Sequence, residues 1–155
     1  MLRIDRRELK GGPVATEGRL PADDPSLDGL GLALDGELRV SGRLQQAGHG
    51  DYLWRGRLRG RARAQCRRCL AEVRVPVDME VDVVFSADPD AMDDPSVYPL
   101  EEQGSHVDVR EAVREELALA VPAFVLCRED CAGLCPRCGA DLNQGPCGCT
   151  PAEPN

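Results

Sequence analysis

The stretch from Cys127 to Cys149, CREDCAGLCPRCGADLNQGPCGC, limits what this chain can fold into more than any other part of it. It contains all but two of the eight cysteines, and the others, Cys66 and Cys69, form a CRRC pair in mid-sequence. Eight thiols make two sites of four, and four thiolates around one ion is the coordination of structural zinc. In Cys135-Pro136-Arg137-Cys138-Gly139, two cysteines separated by two residues can ligate one ion from a tight turn, with Gly139 supplying a positive φ. Cys147 and Cys149 follow closely enough to complete that site, and Gly145, Pro146 and Gly148 permit a tight return. Cys66, Cys69, Cys127 and Cys131 then form a second site that staples mid-chain to the C-terminal part. The other partition, Cys66 and Cys69 with the CPRC pair, requires a longer loop to close. Two structural zinc ions are the expected cofactors.

Rival uses of the thiols fit less well. The start MLRIDRRELK has no apolar signal core, so reduced thiols and a cytoplasmic location are expected. Cys131, Cys135 and Cys138 have the spacing of the iron–sulfur enzymes that cleave S-adenosylmethionine, but those need a large barrel around the cluster. A redox CxxC needs a βαβ setting that this pattern lacks. A closed four-thiolate site leaves no position for water, and His49 and His106 are the only histidines. The metal is therefore expected as scaffold, with no catalytic residue and no small-molecule substrate. Each such site carries two negative charges, which adds to a formal net charge of −8. Arg67, Arg68, Arg128 and Arg137 adjoin the ligands and are the expected compensators.

The first half has the period of antiparallel strands. Short pieces are expected over Leu2 to Leu9 and Pro13 to Leu20. Leu30, Leu32, Leu34, Leu38, Val40 and Leu44 then share one parity, and Asp35, Glu37, Arg39, Ser41, Arg43 and Gln45 the other, as in a half-buried strand with a bend near Gly36 or Gly42. In YLWRGRLRGRARAQC the apolar Tyr52, Trp54, Leu58, Ala62 and Ala64 alternate with Arg55, Arg57, Arg59, Arg61 and Arg63. Those five arginines span about 27 Å of strand, enough to follow a phosphate backbone. The next run, LAEVRVPVDMEVDVVF, alternates in the same way with Glu72, Asp78, Glu80 and Asp82 on its polar face. Setting Cys66 opposite Cys69 pairs Arg63 with Glu72, Arg57 with Asp78 and Arg55 with Glu80. The arginines are then largely a cross-strand charge ladder, and Arg59 and Arg61, opposite Pro76 and Arg74, are the candidates for an external anion.

From Ser86 to Asp108 every charged side chain is acidic, and Pro89, Pro95 and Pro99 punctuate the segment, so a solvated, mobile loop is expected. Asp108 and Glu111 have capping-box spacing, and Val109, Ala112, Val113, Leu117, Ala120 and Val121 form a helical stripe that ends at Pro122. No apolar run approaches the ~18 residues of a membrane span. Scarcity of aromatic residues, 3% of the chain, leaves a core that metal staples would reinforce.

Three segments, CRRCL from Cys66, VREELALAVP from Val113 and CREDCAGLCPRCGADLN from Cys127, together resemble the YceD family of large ribosomal RNA subunit accumulation proteins. The likeness covers roughly 60 to 150. It implies a non-catalytic factor in ribosome biogenesis that binds ribosomal RNA or a ribosomal protein. Glu115 matches the family's recurrent helix glutamate and is expected to brace Arg68 or the backbone of the CRRC turn. Two other readings stay open: a protein–protein adaptor acting through the acidic segment, and a metal-dependent nuclease using Glu72, Asp78, Glu80 and Asp82. The expected architecture is mainly β with one packed helix, an antiparallel meander or partly closed barrel. A β-rich domain would cover 1–126, with the acidic loop at 86–108 and the helix at 108–121. A zinc-binding segment at 127–150 and a frayed tail at 151–155 would follow.

Overall fold

A computed structural model describes residues 1–149; the tail expected at 151–155 lies outside the described residues. The strands are β1 (Arg3–Asp5), β2 (Val14–Leu20), β3 (Ala33–Leu34), β4 (Leu38–Gly48), β5 (Asp51–Gln65), β6 (Glu72–Ser86), β7 (Val97–Pro99) and β8 (His106–Asp108). The helix α1 covers Arg110–Ala120. The main sheet runs β2-β4-β5-β6-β7 with β3 beside β5, and β1 pairs β8 in a small second sheet. All pairings are antiparallel except β6 with β7. The expected mainly-β fold with one helix is what forms, and the sheets are open.

The Leu30–Gln45 run divides at Gly36, whose φ is +92°. β3 and β4 lie end to end along β5, with Ala33 opposite Arg63 and Arg39 opposite Arg59. The Asp35 N–H donates to the Arg61 carbonyl at 2.8 Å, so the ladder continues through the break.

The inner face of the sheet carries the core. Leu38, Val40, Leu44, Trp54, Leu58 and Ala62 are at most 2% exposed, and Ile4, Val107, Ala112, Val113 and Leu117 close over them. Trp54 lies over Gly56 and Gly42, which are register partners on β5 and β4. A methyl group at Gly56 would overlap the indole, and one at Gly42 would sit 2.8 Å from its Nε1. The indole N–H donates to Thr16 Oγ1 at 2.9 Å inside the core. A buried indole needs such a partner, and Thr16 on β2 supplies it.

Three expectations are corrected. First, β5 and β6 pair two residues out of the expected register: Arg55 faces Asp82, Arg57 faces Glu80, Arg59 faces Asp78 and Arg63 faces Arg74. The hairpin closes not between Cys66 and Cys69 but between Cys66 and Ala71, through a Cys66 N–H to Ala71 O bond of 2.8 Å. A slip of two preserves which face each side chain takes, so alternation alone does not register it. Second, the acidic segment is folded. The Asp88 and Asp94 carboxylates accept from the N–H groups of Asp90 and Ser96, β7 extends the sheet, and β8 pairs β1. Tyr98 and Val107 from this segment are buried, and that burial anchors it. Third, the capping box does not form. Val109 is the residue before α1, and the Asp108 carboxylate takes the Arg110 N–H at 3.0 Å and pairs with the Arg110 side chain.

Candidate metal centre

Two groups of four cysteines assemble: Cys66, Cys69, Cys127 and Cys131, and Cys135, Cys138, Cys147 and Cys149. In each, all four sulfurs lie within 4.8 Å of one another. In the first, Cys66 and Cys131 sulfurs are 3.7 Å apart and Cys69 and Cys127 sulfurs 3.6 Å. Four sulfurs at zinc–thiolate bond length define a tetrahedron with edges of about 3.8 Å, whereas a disulfide would bring two sulfurs to about 2.05 Å. The spacing suits one ion held in common. Among the described residues, no other group of three or more His, Cys, Asp or Glu side chains converges in this way. Glu72, Asp78, Glu80 and Asp82 therefore gather no metal pocket.

The two CxxC turns are built alike. In the first, Leu70 N–H donates to Cys66 O at 2.9 Å and Cys66 N–H to Ala71 O at 2.8 Å; in the second, Gly139 N–H donates to Cys135 O at 2.9 Å and Cys135 N–H to Ala140 O at 2.8 Å. The fifth residue takes positive φ in both, +62° at Leu70 and +74° at Gly139. The C-terminal segment is fixed to the hairpin by Arg67 N–H to Val125 O at 2.8 Å and Leu134 N–H to Arg68 O at 3.1 Å. Cys66, Cys131 and Cys135 are buried, while Cys127, Cys138 and Cys149 are exposed.

Electrostatics within each tetrad are uneven. Backbone N–H groups of Cys69, Cys127 and Arg68 draw the Cys66 thiol down to about 6, against desolvation. Those of Cys138 and Arg137 do the same for Cys135, also to about 6. The Asn143 amide, 3.4 Å from the Cys131 sulfur, lowers that thiol too. Desolvation and then the neighbouring sulfurs push Cys127 up to about 12, and hydrogen bonding among the sulfurs does the same for Cys149. Four thiolates cannot share so small a volume without a cation. A divalent ion would supply the missing charge, and the N–H groups already point at the sulfurs.

The expected compensators take different places. Arg68 donates to the carbonyls of Cys131 (3.0 Å) and Glu129 (3.4 Å). Arg67 stacks its guanidinium 3.9 Å from the centre of the Phe124 ring. Arg128 reaches Asn143 Oδ1 at 2.7 Å, and Arg137 contributes its backbone N–H to Cys135. Glu115 is exposed on α1 and makes no hydrogen bond or ion pair to Arg68 among the described residues, because carbonyls already occupy that guanidinium. Its neighbour Glu116 is the engaged glutamate, accepting the Tyr98 hydroxyl at 3.1 Å. Asn143 was not foreseen; its place in the tail's Leu-Asn pair was the available signal. Its side chain accepts from Ala132 N–H at 2.8 Å and donates to Cys131, which ties the second turn to the first tetrad.

All five β5 arginines occupy the outer face, and three meet carboxylates of β6. Arg55 reaches Asp82 at 2.9 Å, Arg57 reaches Asp78 at 2.6 Å, and Arg59 reaches Asp78 at 3.4 Å. Arg61 shares Asp35 with Arg74, at 3.6 and 3.4 Å. Arg59 and Arg61 are thus paired, contrary to the expectation that they were the open ones, since the register moves Asp78 opposite Arg59. Arg63 instead faces Arg74 and makes no ion pair among the described residues. The face is also wider than one strand: Arg19, Arg39 and Arg59 line up across β2, β4 and β5, and Arg43 opposes Arg55. Like charges placed directly opposite oppose folding.

Comparison with known proteins gives the chain its relatives. An uncharacterized protein of Mycobacterium tuberculosis is 34% identical over 86 residues, 53% of this chain and 41% of its own length. An uncharacterized Mycobacterium leprae protein is 27% identical over 128 residues, 76% of this chain and 57% of its own. The chain thus spans about half the length of the curated relatives it matches. No solved structure matches it. The family model described as large ribosomal RNA subunit accumulation protein YceD matches residues 54–155, a span that begins at Trp54 and takes in both tetrads. The chain belongs to the YceD family.

Proposed function

We propose that this protein is a non-catalytic factor in the accumulation of large-subunit ribosomal RNA, scaffolded by two zinc ions and binding that RNA. The family match across the hairpin and both tetrads carries the reading. Zinc is favoured because four thiolates at this spacing suit a soft tetrahedral ion. A multi-iron cluster would hold its sulfurs farther apart. With all four positions filled by protein, the ion has no place for water, so it shapes the C-terminal segment and performs no chemistry.

The outer sheet face is where RNA would lie. Among the described residues, Arg43 and Arg63 are the arginines there without a carboxylate partner, and exposed pairs such as Arg59 with Asp78 are weak enough for phosphate to compete. The test is ultraviolet crosslinking of the tagged protein in its own cells, comparing wild type with Arg43→Glu, Arg63→Glu. Large-subunit ribosomal RNA should be enriched and should fall in the double variant, which breaks no ion pair among the described residues. No enrichment above an untagged control would overturn the reading.

A further inference from the structure

The end of the hairpin at the first tetrad has two features that the scaffold does not need. One is Leu70. Its backbone adopts the same turn, with the same two hydrogen bonds, as Gly139 in the second CxxC turn. Glycine fills that conformation without strain, whereas a leucine at φ +62° does not. The leucine gains no burial in exchange, since it is 57% exposed. The other feature is Phe124, which is 64% exposed although Arg67 stacks on it at 3.9 Å. One side of the ring is taken by a flat cation, and most of the remaining surface is open.

Charge on the outer sheet face just before this end favours an anion. Arg63 and Arg74 are register partners just before the turn, with Arg61 two residues further back. The carboxylates among them are Asp35, which Arg61 and Arg74 share, and Glu72 opposite Gln65. On this face three guanidinium groups thus meet two carboxylates, while Arg67 and Arg68 stand against the two negative charges that a loaded first tetrad would carry. Unpaired nucleotides are recognised by this combination: a base stacked on an aromatic ring or a guanidinium plane, with its phosphates on nearby arginines. A duplex offers no free base face to such a ring.

We propose that Phe124, Arg67 and Leu70 hold an unpaired base of the ribosomal RNA, with Arg63 and Arg74 on the adjoining phosphates. This rests on the reading that ribosomal RNA is the partner. It moves the specific contact from the middle of the arginine face to the metal-stapled end of the hairpin, which the tetrad holds rigid.

The experiment is crosslinking in cells with the full chain, as wild type, Phe124→Leu, Arg67→Lys and Leu70→Gly, after checking that each retains its metal. Both the RNA and the nucleotide-bearing peptides are identified. The expected result is a nucleotide on the peptide carrying Phe124, with recovery of large-subunit ribosomal RNA falling about 5- to 100-fold in Phe124→Leu. Arg67→Lys and Leu70→Gly should each lower recovery while metal content stays at the wild-type value. Full recovery in Phe124→Leu, with adducts on β5 alone, overturns this site and leaves the ribosomal RNA reading standing. A co-purifying ribosomal protein that is lost in Phe124→Leu, with no adduct near Phe124, overturns it in favour of a protein contact. No ribosomal RNA above the untagged control removes the broader reading and this one with it.

Discussion

Gly56 shows how little freedom single positions have in this core. Its missing side chain is the space that the Trp54 ring occupies, and the ring is held there by Thr16. The indole cannot shift without breaking that bond in a site where no water replaces it. Gly56→Ala should therefore destabilise the protein by at least the ~1–3 kcal/mol typical of overpacking. The measurement is the urea midpoint followed by the fluorescence of Trp54, the single tryptophan. A midpoint equal to wild type would mean that the ring has room to move. The neighbouring glutamates of α1 offer a contrast. Glu115→Ala removes an exposed side chain and should change stability by less than about 0.5 kcal/mol. Glu116→Ala takes away the acceptor of the buried Tyr98 hydroxyl and should cost about 1–3 kcal/mol. Equal effects in thermal melts would show that the Glu116 to Tyr98 hydrogen bond contributes nothing to stability.

Elements, unlike contacts, were largely legible from sequence. Alternation at Leu38 to Leu44, Tyr52 to Ala64 and Val73 to Phe85 has the period of a sheet with one buried face, so strands and their inner faces follow directly. Register does not follow, because Arg59 is on the outer face whether it meets Pro76 or Asp78; the difference lies in the Cys66 to Ala71 closure, a backbone matter. Composition misled at the acidic segment for a related reason. Its many carboxylates read as solvated chain, yet Tyr98 and Val107 are enough to dock it, and short Asp-to-N–H bonds turn the acids into turn formers. The cysteine grouping was legible from spacing, while Asn143 was not, since one polar residue in a loop has no period. The docking of β7 on α1 makes a pH prediction. Burial, and then the Glu116 carboxylate, raise the Tyr98 pKa above its ordinary value of 10.0. Above about pH 10 the unfolded chain loses this proton first and so binds fewer protons than the native state, and stability must fall as pH rises. Below that value the contribution is fully present. Tyr98→Phe should be less stable at neutral pH but should lose less stability between pH 9 and 11. The check is the slope of the urea midpoint against pH, and parallel slopes would show that Tyr98 is not held neutral by the fold.

At the scale of the molecule, the two tetrads have unequal reach. The first joins Cys66 and Cys69, at the end of the long hairpin, to Cys127 and Cys131, so an ion held there would tie the β-rich part to the C-terminal segment. The second lies wholly within 135–149 and meets the first through Asn143. Metal binding to such a site is folding free energy for whatever the ligands connect. Cys149→Ser should consequently lose one ion and leave the Trp54 core and the first tetrad intact. Cys66→Ser should release the C-terminal segment from the hairpin, and the second ion should also bind more weakly because Asn143 loses its fixed partner. Chelation should proceed in the same order: the second tetrad exposes Cys138 and Cys149 and buries only Cys135, whereas the first exposes only Cys127. Native mass spectrometry during a chelator titration reads this directly, with a one-ion species accumulating before the apo form. Protease access between 122 and 134 should rise only at the second loss, while Trp54 fluorescence changes little throughout, because the main core does not include the tetrads. Simultaneous loss of both ions, or a Cys149→Ser protein that releases the segment as readily as Cys66→Ser, would show that the tetrads form one cooperative unit and that the division argued from their ligands is wrong.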